Sequence, residues 1–97
     1  MKDERYDYIK SLIEGHKISK LEQWFPVIPK TKLAKDAGLG IDRFNTLINN
    51  IGLFSISEMH ALAELLGVNY EVIHKMILEQ YHENQIENAK KGKKINH

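Results

Sequence analysis

Cysteine is absent from this chain. That excludes a disulfide framework and a thiolate metal site, and it fits a reducing compartment. Proline occurs only at Pro26 and Pro29, where it punctuates the chain. No apolar run approaches the ~20 residues needed to cross a bilayer. The N-terminus, MKDERYDYIK, is charged where a leader peptide would be apolar, so the expectation is a cytoplasmic protein with no membrane partner. The sequence also lacks a nucleophile elbow, a Gly-rich phosphate loop and a His-Glu-x-x-His motif. His16, His60, His74, His82 and His97 show no His-x3-His spacing, which leaves no metal site to name. The expectation is therefore a non-enzyme without cofactor, metal or small-molecule substrate.

What is present is helical. The 97 residues, 42% of them hydrophobic, suffice for one domain around a single core. Apolar residues recur at helical spacing, and no alternating strand pattern appears. A first helix is expected over 3–14, with Tyr6, Ile9, Leu12 and Ile13 inward and Gly15 at C′. A short second helix, capped by Ser19 and limited by Pro26, buries Leu21, Trp24, Phe25 and Ile28. A third runs over 30–37 with Leu33, Ala34 and Ala37 on one face, and Gly38 ends it. Ser55 and Glu58 form the capping box of a helix to Leu66 that buries Ile56, Met59, Leu62, Ala63 and Leu66, stopped by Gly67. Asn69 caps a last helix from Tyr70, lined by Val72, Ile73, Met76, Ile77 and Tyr81, with Leu78 outside that stripe. From about Asn88 the sequence loses its apolar period and reads as a mobile tail.

The segment Leu33 to Gly52, LAKDAGLGIDRFNTLINNIG, carries the functional signal. Its second helix, about 41–50, places Phe44, Leu47, Ile48 and Ile51 on one apolar face. The other side offers Asp42, Thr46 and Asn49, flanked by Arg43, Asn45 and Asn50. A helix gripped by its apolar side and presenting amides and a guanidinium outward suits a DNA major groove. Charge is distributed in the same sense. Net charge is +1 overall, but it is 0 over 1–29, +2 over 30–50, −4 over 51–85 and +3 over 86–97. Such polarity would orient the molecule on a phosphate backbone.

These residues, followed by FSISEMHALAELLGVNYEVIHKMI, resemble the phage-repressor-like (Xre-type, lambda-repressor-like) helix-turn-helix family. The resemblance rests on Leu33-Ala34, Gly38, Phe44 with Leu47, and Leu66-Gly67-Val68, and it covers about residues 28–78. It implies an all-α bundle with a five-helix repressor-like core, expected at 28–88; the resemblance does not account for the N-terminal helical extension expected at 1–27, packed on that core, and the basic tail at 89–97 follows from the loss of apolar period. It also implies operator DNA binding, usually as a symmetric dimer, with Lys30 as a phosphate contact, Ile41, Asp42, Arg43 and Thr46 at base-contact positions, and Asn49 supporting backbone contacts. The chain departs from the family pattern at Gly40, Ile48 and Asn50. The loop from Ile51 to Phe54 lacks the family's basic residues, and the region before Ile28 does not match.

The residues suggest individual roles. Arg43 can give two hydrogen bonds to guanine O6 and N7, worth roughly 1–3 kcal/mol of discrimination. Asn45 and Asn49 can pair with adenine or phosphate, and Thr46 can meet a thymine methyl. Asp42 either accepts from cytosine N4 or simply complements the helix N-terminus. Lys30, Thr31, Lys32 and Lys35 would hold phosphates and set register. Leu78 and Tyr81 are the candidate dimer contacts. Trp24, Phe25 and Phe54 lie on apolar stripes and read as core. A rival reading uses the same fold as an antitoxin-like or anti-repressor-like protein-interaction module without DNA binding.

Overall fold

The computed structural model describes residues 3–92. Among them are five α-helices, two 3-10 turns and no strand: α1 (Glu4–Glu14), α2 (Lys30–Asp36), α3 (Ile41–Asn49), α4 (Ile56–Leu66) and α5 (Tyr70–Gly92), with the 3-10 turns at Leu21–Trp24 and Ile51–Leu53. α2 packs on α3, α1 on α4, and α4 on α5, while the Ile51–Leu53 turn lies against both α3 and α5. Tyr6, Leu21, Trp24, Phe44, Leu47, Leu62 and Ile73 share one buried cluster, so the first 27 residues help build the core. The expected count of five core helices plus one extra is not met: α1 is the first of five.

The segment after α1 differs from its expectation for a local reason. Instead of a helix capped by Ser19, there is one 3-10 turn from Leu21 to Trp24, because Pro26 cannot continue the ladder. The Gln23 side chain closes this turn by accepting from the backbone N–H groups of Ser19 (2.6 Å) and Lys20 (2.9 Å). At the end of α1 the left-handed position falls on His16 (φ 57°), one residue past the expected Gly15. The Lys17 N–H then reaches back to the Leu12 carbonyl at 2.8 Å, closing a Schellman-type end.

The turn from α2 into α3 follows its sequence closely. Gly38 takes φ 77°, and the Leu39 N–H bonds the Ala34 carbonyl at 2.8 Å, which folds Leu39 against the core. The α4 capping box forms as expected: Ser55 N–H donates to Glu58 Oε1 at 2.9 Å, and Glu58 N–H donates to Ser55 Oγ at 3.1 Å. Ile56, expected inside, is 65% exposed. It is the first residue of α4, and its side chain leans toward the helix start, beyond the edge of the core. α5 continues to Gly92, four residues into the segment read as a tail, carried by good helix formers such as Ala89 and Lys90. Lys93, Lys94 and His97 lie outside the described residues. No helix among the described residues is long and apolar enough to cross a membrane.

Among the described residues, a glutamine side chain is buried in this core. Gln80 of α5, 2% exposed, accepts from the Leu21 N–H at 3.0 Å and donates to Glu22 Oε1 at 2.8 Å. Lys20 and Glu83 pair at 3.2 Å beside it. The 3-10 turn is thereby fastened to the middle of α5.

Candidate nucleic-acid interface

α3 is held from beneath. Phe44 and Leu47 have no exposed surface, and the Phe25 ring meets Phe44 edge-on with centroids 6.2 Å apart. Burying each of these two side chains contributes about 1.5–3 kcal/mol, enough to fix the helix's rotation about its axis. Ile51 continues the same stripe into the 3-10 turn and is also buried. That rotation leaves Ile41, Asp42, Arg43, Thr46 and Asn49 exposed and Asn45 half-buried on one flank. Thr46 Oγ1 donates to the Asp42 carbonyl at 3.1 Å, so its hydroxyl proton is used within the helix and its methyl is the group left to a neighbour. Gly40 stands at the N-cap position without a side-chain cap.

The cations expected around this face divide into two groups. Thr31 and Lys35 are exposed and Lys30 is half-buried; neither lysine makes an ion pair with a described residue. Lys32 is committed: its Nζ lies 3.0 Å from Asp36 and 3.9 Å from Asp3. Asp36 also accepts from the buried Tyr6 hydroxyl at 2.6 Å, which ties α1 to the end of α2. The Tyr6 hydroxyl, followed by Lys32, lowers the Asp36 pKa, while burial and then Asp36 itself raise that of the Tyr6 phenol. The Arg5 guanidinium and backbone N–H hold Asp3 at about 2.

Arg43 is committed as well. Its Nε donates to Glu58 Oε2 at 2.8 Å, and its Nη2 donates to Glu58 Oε1 at 3.0 Å and to the Leu53 carbonyl at 3.3 Å. The side chain thus turns sideways along the globule toward the start of α4. Glu58 is held down to about 2, chiefly by Arg43 and further by its capping bonds with Ser55. Sequence reasoning recognised Glu58 only as a capping residue, since nothing in the S-I-S-E motif announces a partner fifteen residues upstream.

The candidate dimer contacts lie beside the turn that follows α3. Leu78 (45% exposed) and Tyr81 (36% exposed) edge a groove of about 210 Å³ whose floor includes Ile51, Phe54 and Ile77. The exposed Leu53 lies in the adjoining turn. Nearby, the Tyr70 ring stacks with His60 (4.2 Å, 18°) and His74 (5.6 Å, 12°), a further link between α4 and α5 that the sequence reading missed. Among the described residues no group of three or more His, Asp or Glu side chains is placed to hold a metal ion.

Compared with known proteins, the chain matches no family model, no curated protein and no solved structure.

Proposed function

We propose that this protein is a sequence-specific DNA-binding regulator, with α2 and α3 as a helix-turn-helix and α3 as the reading helix. The observation that carries this reading is the rigid mounting of α3: Phe44 and Leu47 are wholly buried while Asp42, Thr46 and Asn49 stand exposed on the same helix. A groove reader needs an outer face that does not rotate, made of side chains that can meet base edges. Asn45, Thr46 and Asn49 supply amide and methyl contacts, with Ile41 and Asp42 at the helix start and Arg43 on its flank. Lys30, Lys35 and Thr31 hold phosphates and set register. A cytoplasmic site of action goes with this role.

One such module makes a small interface, so a homodimer on a two-fold site is part of the proposal, with Leu78 and Tyr81 as its anchors. The test is titration of a genomic duplex library at two salt concentrations. Binding that weakens steeply with salt and selects particular sequences supports the reading. Binding of no duplex at either salt overturns it, and a strict monomer at high concentration, with and without duplex, removes the dimer.

A second reading, a protein-interaction module on the same fold, is favoured by one observation. Lys32 and Arg43 are already neutralised inside the molecule, which lowers the positive field around α3. Salt-insensitive binding to a protein partner, with no duplex binding, would select this reading.

A further inference from the structure

The pairing of Arg43 with Glu58 limits what that arginine can read. A guanidinium has five N–H groups. Two-pronged recognition of guanine O6 and N7 uses a parallel pair of them on two different nitrogens, either Nε with Nη2 or Nη1 with Nη2. Both pairs include Nη2. Here Nε faces Glu58 Oε2, and both hydrogens of Nη2 are taken, one by Glu58 Oε1 and one by the Leu53 carbonyl. Two N–H groups remain, both on Nη1.

The carboxylate that occupies the fork is itself fixed. Oε1 also accepts the Ser55 N–H at 2.9 Å, and the Glu58 backbone N–H bonds Ser55 Oγ at 3.1 Å, so the capping box sets where the fork is met. The Glu58 side chain is 15% exposed against 44% for Arg43, so the acid lies in the protein surface while the arginine stays within reach of a ligand.

We propose that Glu58 is a specificity-determining residue: it occupies the Nε–Nη2 pair of Arg43 and, with the Leu53 carbonyl on the second Nη2 hydrogen, leaves that arginine a single-nitrogen contact to one phosphate oxygen and withholds the two-pronged reading of guanine. This rests on the DNA-binding reading above. In this arrangement Arg43 adds affinity on any sequence, and discrimination falls to Asn45, Thr46 and Asn49. Displacing Glu58 would also leave an unpaired carboxylate facing the phosphates, which keeps the pair closed when duplex is bound.

The test selects sites from a random duplex pool with the wild type, Arg43→Ala, Glu58→Gln and the double variant. Glutamine can still accept the Ser55 N–H, so the capping box survives; a thermal melt of Glu58→Gln checks that it does. The wild type and Arg43→Ala are expected to select the same site, with Arg43→Ala weaker by a few-fold on all sequences. Glu58→Gln is expected to gain a guanine preference of roughly tenfold at one position, which the double variant loses. Loss of a guanine preference in Arg43→Ala alone, or identical sites for Glu58→Gln and the wild type, would overturn the proposal. A second measurement needs no DNA. The Arg43 Nε proton should exchange slowly with water in the free wild type and faster in Glu58→Gln; rapid exchange in the wild type sinks the inference while leaving DNA binding intact. Absence of duplex binding by the wild type, with slow Nε exchange, instead defeats the functional reading on which it stands.

Discussion

Gly52 and Tyr81 touch so closely that a Cβ on Gly52 would lie 2.7 Å from Tyr81 Cε1 and 2.9 Å from Cδ1. Gly52 follows α3, the proposed reading helix, by three residues, and Tyr81 belongs to the proposed dimer surface, so this contact joins the two regions. In Gly52→Ala the Tyr81 ring must swing outward, which its partial exposure allows. The expected cost is about 1–2 kcal/mol, the range of an overpacked site with one yielding neighbour. Urea denaturation of Gly52→Ala, Tyr81→Ala and the double variant checks it. A coupling near zero between the two would show that the contact is not formed in solution.

Gln80 offers a sharper stability test. Gln80→Leu keeps the volume and removes both hydrogen bonds, leaving the Leu21 N–H unpaired in the interior. An unsatisfied buried donor costs about 1–3 kcal/mol. Glu22→Ala, which loses only the bond to Gln80 Nε2, is expected to cost less than half as much. Equal midpoints for Gln80→Leu and the wild type in a denaturant melt would contradict the buried bond.

These two cases also mark what was legible in the sequence. Features fixed within one turn of chain were readable: the Phe44–Leu47–Ile51 stripe, the Gly38 turn, and the reciprocal caps of Ser55 and Glu58. Each follows from spacing alone. Features made by distant partners were not. Gln80 meets Leu21 across 59 positions, and Arg43 meets Glu58 across 15, and a single sequence carries no sign of either pairing. The candidate site was legible in the same way. Which side of α3 faces out could be read from its apolar period. That Arg43 is occupied by Glu58 could not, because that pairing depends on how α3 meets α4; the Lys32–Asp36 pair is local to α2 at i,i+4 spacing, and only its link to Tyr6 depends on packing.

Acid should weaken the molecule through Glu58 in a defined window. Its ordinary pKa of 4.5 is lowered to about 2 in the folded state. A carboxylate lowered on folding gives its full stabilisation above the unfolded value and loses it as pH falls through the folded value. The contribution is therefore complete at pH 6 and fades between about 4.5 and about 2. Thermal melts from pH 6 to pH 2 should show the Glu58→Gln difference from wild type shrinking across that interval. A difference that holds constant with pH would mean that the Arg43–Glu58 pair contributes nothing as an ion pair.

The lysines near α3 should separate by their partners, not by their charge. Lys30 and Lys35 have no ion pair with a described residue, whereas Lys32 stands 3.0 Å from Asp36. A cation already neutralised releases few counterions when it meets a phosphate, so it adds little to the salt dependence of binding. Lys30→Ala and Lys35→Ala are each expected to weaken duplex binding evenly across sequences and to reduce the slope of log K against log salt by about 1. Lys32→Ala should leave the slope nearly unchanged and show its effect in stability, through the Asp36–Tyr6 link. Fluorescence anisotropy with one duplex over a salt series measures all three. If Lys32→Ala lowers the slope as much as the other two, the Lys32–Asp36 pair opens on binding, and the positive face around α3 is larger than it is in the free protein.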